Sequence, residues 1–297
     1  MKIINPYAGP GAWLKGNLHT HTNESVCGHY PLAQVLATYN FRTLAYDFIA
    51  ITDHLKLTCV SAVQNMDSLI VFSGTEYKKE AYQTLAINIE SFDDDEGKTG
   101  HEEIFDRVTA QGGINIICHP HIYNDDYWPL EQLLELDGYT AIEIYNHNVK
   151  MNNAGRAIAT DLWDKLLSKG RRVWGTAADD FHHCSRCGGG FIKVMAEKNK
   201  EAILGAIKAG AFYASSGILL KDINVSNNRI TLSAASPRVA NTVFRFIGQG
   251  GRILKEEQAP EAESPVSYTV NGDESYVRVE ASREDGAQAW TQPFWLE

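Results

Sequence analysis

The chain has 297 residues, 44% of them hydrophobic, with 37 acidic against 27 basic side chains and a net charge of −10. That length suits one large domain, or one large and one small, with an ample core. The acidic balance and the lack of a basic stripe argue against a nucleic-acid duplex as partner, and no apolar run reaches bilayer length. Five cysteines, an odd number, argue against a disulfide framework. Met1 to Trp13 lacks the apolar core of a signal peptide, so a cytoplasmic protein is expected.

An apolar lead, Ala12-Trp13-Leu14, runs into Gly16-Asn17-Leu18-His19-Thr20-His21-Thr22. On a strand end, His19 and His21 share one face, because side chains alternate with period two. Residues 31–46 read as a helix. Tyr46 to Thr52 is a buried strand ending in Asp53-His54, and Leu69 to Phe72 a second ending in Ser73-Gly74-Thr75-Glu76. Residues 82–89 give a further strand, followed by a solvated acidic loop, Asp93-Asp94-Asp95-Glu96. A helix from His101 to Gln111 stops at Gly112-Gly113. Three more strand-to-polar junctions follow. Ile114 to Cys118 runs into His119-Pro120-His121, Ala141 to Tyr145 into Asn146-His147-Asn148, and Arg172 to Ala177 into Ala178-Asp179-Asp180-Phe181-His182. An amphipathic helix over 156–169 precedes the last of these.

Strand, polar residues, helix and strand, repeated about seven times, predict a parallel α/β architecture. In such folds reactive groups gather at the carboxyl ends of strands. After Gly217 helical signals vanish and short strands alternate with turns such as Asn227-Asn228, Gly248-Gln249-Gly250-Gly251 and Asn271-Gly272-Asp273. Residues 1–217 are expected to form the large domain and 218–297 a small all-β domain.

The candidates His19, His21, Asp53, His54, Glu76, His119, Asp180 and His182 mix imidazole with carboxylate and no thiolate majority. That donor set suits Zn²⁺, Mn²⁺ or Fe²⁺ rather than Ca²⁺. Asp180 and His182 repeat the i, i+2 spacing of His19 and His21. Arg186, His147 and His121 stand on the same rim as candidates to bind substrate, Arg186 as a fork-shaped donor for phosphate. Cys184-Ser185-Arg186-Cys187 has no second CxxC and makes a poor structural zinc site. Ser215-Ser216-Gly217 is not a nucleophile elbow, and Gly188-Gly189-Gly190 lacks the Lys-Ser/Thr of a phosphate-cradling loop.

His19-Thr20-His21, Ile51-Thr52-Asp53-His54, Gly74-Thr75-Glu76, Cys118-His119-Pro120 and Asp180-Phe181-His182 occur in the order of the motifs of the PHP (polymerase and histidinol phosphatase) family, which the chain resembles. The tail, with Gly210 to Gly217 and Ala289-Trp290-Thr291-Gln292-Pro293, resembles the branch of that family with a small C-terminal β domain. The resemblance implies an α/β fold, a distorted seven-stranded (β/α) barrel, with two or three divalent metal ions and hydrolysis of phosphate esters. It assigns His19, His21, Glu76 and Asp180 to a first ion, Glu76 and His119 to a second, and His54 and His182 to a third. His29 of the Cys27-Gly28-His29 segment joins the third, with Cys27 as the other candidate. Asp53, Glu76 and Asp180 are the expected catalytic carboxylates, Asp53 acting by orienting a histidine. Near Gln83-Thr84, where the family places a further histidine, this chain has no strong ligand, and His101 is a possible substitute.

The expected reaction is hydrolysis of a small phosphorylated metabolite by a metal-bound hydroxide. The same site could open an amide, lactone or carbamate, or the chain could be a non-catalytic metal-dependent binding module. The expected partner is a small-molecule phosphoester, with no duplex and no membrane; oligomeric state is left open. Rim specificity is expected from the loop 121–129.

Overall fold

The computed structural model describes residues 2–61, 65–66, 69–93, 98–235, 242–259 and 263–297. Asp94, Asp95 and Glu96 of the acidic loop lie outside them. The strands of the first part are β1 (Ile3–Ile4), β2 (Ala12–Asn17), β3 (Phe48–His54), β4 (Asn65–Met66), β5 (Leu69–Lys79), β6 (Tyr82–Ile87), β7 (Ile114–Ile117), β8 (Ala141–Asn146), β9 (Trp174–Ala178), β10 (Phe191–Ala196) and β11 (Phe212–Ser215). Six helices accompany them among the described residues: α1 (Leu32–Tyr39), α2 (His101–Ala110), α3 (Leu130–Glu135), α4 (His147–Asn152), α5 (Thr160–Ser168) and α6 (Lys200–Lys208).

The strands form one hydrogen-bonded path in the order β11-β10-β2-β3-β5-β6-β7-β8-β9. The all-parallel expectation fails at one end of this path, where β10 is antiparallel to both β11 and β2, and again in its middle. β2, β3 and β5 are parallel, as are β7, β8 and β9, but β6 is antiparallel to both neighbours. The cause is the tight connection Glu80-Ala81, with Lys79 paired to Tyr82 and Glu80 at φ +56°. Two residues can close a hairpin, whereas a parallel return needs a crossover of a dozen or more. β5 is also longer than expected and carries Glu76 inside it rather than past its end.

β2 and β9, far apart on this path, meet at the level of the candidate ligands. His21 N donates to Phe181 O at 3.0 Å and Phe181 N to His19 O at 3.2 Å, a single parallel bridge between Thr20 and Phe181. Farther down β9, the Gln292 side chain takes the place of a neighbouring strand. It accepts from Gly175 N and donates to Gly175 O, both at 2.8 Å. A core of Phe48, Phe72, Ile116, Ile192 and Phe212 fills the space between the strands.

After Gly217 come β12 (Leu219–Ser226), β13 (Arg229–Ala235), β14 (Thr242–Gly248), β15 (Arg252–Gln258), β16 (Val266–Thr269), β17 (Tyr276–Arg283), β18 (Gln288–Thr291) and β19 (Phe294–Leu296). β12, β13 and β16 form a three-stranded sheet, while β18 pairs with β11 and continues the large sheet into the tail. Alternation along β14 turns Phe244 and Phe246 inward, onto Ile230, Leu232 and Val279. The tail is tied to the helical layer by Arg278 of β17. Its guanidinium donates to both carboxylate oxygens of Asp164 on α5, at 2.7 and 2.6 Å.

Candidate metal centre

Strand register brings the ligand types together. In the parallel β3–β5 pair His54 stands beside Glu76, and the Thr20–Phe181 bridge sets His19 and His21 beside Asp180. Four atoms then converge: Nε2 of His19, Nε2 of His21, Oε2 of Glu76 and Oδ1 of Asp180. The two nitrogens are 3.1 Å apart. They lie 3.3 and 3.2 Å from the Glu76 oxygen and each 3.4 Å from the Asp180 oxygen. All four side chains are buried. Four N/O ligands at 2.0–2.2 Å around a tetrahedral ion would be about 3.3–3.6 Å from one another, so this set fits a divalent ion.

The hydrogen-bond network fixes the protons. Glu143 Oε1 can only accept, so His19 donates to it from Nδ1 at 2.9 Å and turns the Nε2 lone pair inward. Glu143 Oε2 accepts from the backbone N–H of His119 at 2.8 Å and from Asn146 Nδ2 at 2.9 Å. Ser25 Oγ gives its one proton to Asp53 Oδ1 at 2.7 Å and accepts from His54 N at 3.0 Å. It therefore accepts from His21 Nδ1, also at 3.0 Å, and the His21 Nε2 lone pair faces the centre. Two lone pairs and two carboxylates aimed at one point repel one another unless a cation joins them.

Titration behaviour follows the same field. Burial disfavours the charged imidazole of His19, but Asp180, Glu143 and Glu76 outweigh it and hold the pKa well above the ordinary value. Burial is likewise overcome at His21 by Asp180 and Glu76, and at His119 chiefly by Glu76. Against their own burial, Glu76 and Asp180 are held well below the ordinary carboxylate range, with His19 as the leading partner of each. The centre attracts positive charge, which protons and a metal ion compete to supply.

Two further groups flank this set. Glu76 turns its other oxygen, Oε1, to His119 Nε2 at 3.0 Å and to Cys118 Sγ at 3.4 Å, with Cys118 and His119 beside His19. On the other side His54, His182 and Cys27 gather around His21. His54 Nδ1 is 3.0 Å from Glu76 Oε2, and His182 Nε2 is 3.1 Å from Cys27 Sγ. Burial together with Glu76 and Asp180 pushes the Cys27 thiol up to about 11, so it binds an ion only by losing its proton to it. Backbone strain marks the centre as well: His119 has φ +29° and Asp180 φ +50°.

The other sequence-predicted residues divide. His29 is exposed, with its ring against Tyr30 and His183, because the turn closed by Gly28 N on Ser25 O carries Cys27 rather than His29 toward His182. Asp53 touches none of the converging atoms. It is buried and accepts from Thr22 N, Thr22 Oγ1, Ser25 Oγ and Thr58 Oγ1 at 2.5–2.7 Å, which makes it a positioning residue for His21. His121 turns away, 3.4 Å from Asp161 Oδ1 on α5. His147 bonds Tyr145 OH through Nδ1 at 3.0 Å and lies against Gly189. Arg186 Nη1 donates to Asn152 Oδ1 at 2.5 Å and Asn148 Oδ1 at 3.4 Å, and Asn148 in turn donates to Asp180 Oδ2 at 3.3 Å. Among the described residues no carboxylate pairs with Arg186. Gln83 faces the rim loop, accepting from Tyr127 OH at 3.2 Å, so the family's further histidine has no counterpart there. His101 does not substitute: it sits in a box of Tyr77, Phe105 and Trp128.

Sequence reasoning missed Glu143, Ser25, Cys118 and Asn148 as parts of the centre. The available signal for Glu143 was a lone carboxylate inside the apolar run Ala141 to Tyr145, since a buried charge needs partners.

No family model matches the chain and no curated protein matches it. Among solved structures, one from Bacteroides vulgatus aligns over 98% of this chain and 98% of its own, with TM-score 0.55 and 14% identity. It is described as a two-domain protein containing a predicted PHP-like metal-dependent phosphoesterase. The fold is PHP-like. PsfC from Pseudomonas syringae also aligns, over 65% of this chain and 87% of its own, at 13% identity and TM-score 0.45. With the PHP-like fold in hand, the ordered motifs occupy one rim, around the bridge that joins β2 to β9. No helix among the described residues is long and apolar enough to cross a membrane.

Proposed function

We propose that the chain is a metal-dependent hydrolase of phosphate esters, built on a distorted seven-stranded barrel over residues 1–217 with a β domain over 218–297. The observation that carries this reading is the convergence of His19, His21, Glu76 and Asp180 with lone pairs fixed inward. In this reading these four hold the first ion, Glu76 and His119 a second, and His54, His182 and Cys27 a third. Bound divalent ions supply Lewis acidity toward phosphoryl oxygens and activate water.

The chain's own residues orient and select. Glu143 and Ser25 lock the imidazoles, and Asn146 and Asn148 hold Asp180 Oδ2 at 3.3 Å so that Oδ1 faces the centre. Arg186 favours phosphate over a carboxyl-type substrate. Among the described residues it is a guanidinium without a carboxylate partner, held by Asn148 and Asn152 of α4 one asparagine away from Asp180, and it binds a phosphoryl oxygen by charge-assisted hydrogen bonds.

Metal-reconstituted protein assayed side by side on phosphomonoesters, carboxyl esters and amides tests this. The expected result is phosphomonoester turnover that chelation abolishes, with Arg186→Ala raising KM. Turnover of carboxyl esters or amides alone would overturn the phosphate reading while keeping the hydrolase. No turnover of any of them by metal-loaded, folded protein would favour a binding module.

A further inference from the structure

Six large apolar side chains are well exposed among the described residues, and three of them are close in the chain to residues of the centre. Val26 adjoins Cys27, Met151 lies on α4 with Asn148, and Tyr123 follows His119 on the rim loop. Tyr123 carries the strongest signal. It is 71% exposed and has φ +68°, a left-handed backbone that a bulky aromatic adopts only at a cost.

The loop is built to hold that conformation. Tyr123 N donates to Ala154 O at 2.6 Å, and Arg156 N to His121 O at 3.1 Å, around an antiparallel bridge between Ile122 and Gly155. The close approach requires glycine at 155, where a Cβ would stand 2.4 Å from His121 O. Arg156 Nε adds a bond to Asp125 Oδ1 at 2.9 Å. On the inner side Tyr123 meets Tyr127 edge-on at 5.9 Å, and Tyr127 lies 6.1 Å from the His119 ring. No other ring among the described residues touches Tyr123, so core packing does not explain its placement. A braced, strained loop thus presents one aromatic face to solvent, with one ring, Tyr127, between it and the candidate ligand His119.

We infer that Tyr123 is a specificity residue that packs against an aromatic group of the substrate, with Val26 and Met151 widening the apolar rim. Resting on the phosphoester reading above, this narrows the substrate class to phosphomonoesters that carry an aromatic ring. Open-chain polyol phosphates, which have no ring face to stack, gain least from such a rim.

The test is calorimetric titration of the Mn²⁺-loaded protein with phenylphosphonate and with methylphosphonate, neither of which can be hydrolysed. An aromatic contact of ordinary strength makes phenylphosphonate bind about fivefold tighter in the natural protein, a gap that closes to under about twofold in Tyr123→Asn and persists in Tyr123→Phe. Asparagine tolerates the left-handed backbone, so this variant removes the ring without straining the loop, as its circular dichroism would confirm. Equal affinities in the natural protein, or a gap that survives Tyr123→Asn, would overturn the inference and leave the phosphoester reading standing. Failure of both phosphonates to bind, with no phosphomonoester turned over, would overturn both.

Discussion

Just past the ends of β2 and β9, and within β5, the chain buries His19, His21, Glu76 and Asp180 with lone pairs aimed at one another. Between α5 and β17 it buries Arg278 and Asp164 as a closed pair. In the second place every charge has its partner: Arg278 donates to Asp164 and to Glu280 at 2.7 Å, and Tyr276 OH donates to Asp164 at 3.0 Å. In the first, Glu143, Ser25 and Asn148 satisfy the outer edges of His19, His21 and Asp180, His119 and Cys118 meet the outer oxygen of Glu76, and the inner edges are left to a cation. Buried polarity that is complete holds regions together, while buried polarity that is incomplete on one side marks a site.

The largest effect should come from the incomplete set. His19→Ala removes one of four converging donors, and turnover of the metal-reconstituted enzyme is expected to fall below detection while circular dichroism is unchanged. Retained activity would break the comparison at once. Next is the closed pair. Arg278→Ala leaves Asp164 buried without its cation and is expected to cost about 3–5 kcal/mol in denaturant unfolding, with turnover per folded molecule retained. Loss of turnover per folded molecule would show that the two regions are coupled.

His101 offers a third way to bury a titratable group. Burial in its aromatic box pulls its pKa down from 6.5 to about 4. The unfolded chain therefore takes up a proton that the folded chain refuses between those values. Stability is undiminished above pH 6.5 and falls by about 3 kcal/mol as pH drops to 4. His101→Phe keeps the box filled and should remove that part of the acid loss; equal pH slopes for the two proteins would contradict it. The smallest effect expected is at the outer edge of the centre. Glu143→Gln weakens the lock on His19 and should lower metal affinity by about 10–100-fold in competition with a chelator.

The converging residues were legible in the sequence because each stands where an apolar strand gives way to polar side chains. His19, His21, His54, Glu76, His119, Asp180 and His182 all meet at the rim. What was hidden depends on contacts distant in the chain. Cys27 rather than His29 faces His182, 155 positions away, and nothing local in Cys27-Gly28-His29 decides that. Ser25 reads as an ordinary loop serine until Asp53 and His21 claim its hydroxyl. Glu80-Ala81 carries none of the Gly or Asn that marks a two-residue hairpin, so the antiparallel turn there was concealed. The continuation of the large sheet into the tail rests on β11–β18 pairing, with Ser215 opposite Ala289, which no local pattern announces.

The most direct measurement is the divalent metal content per chain, by elemental analysis of protein purified without chelator and with Mn²⁺, Zn²⁺ or Fe²⁺ available. The natural protein and Arg278→Ala should each hold at least one tightly bound ion per folded chain, and His19→Ala should lose it. A folded natural protein that binds none of these metals would contradict the account at its centre.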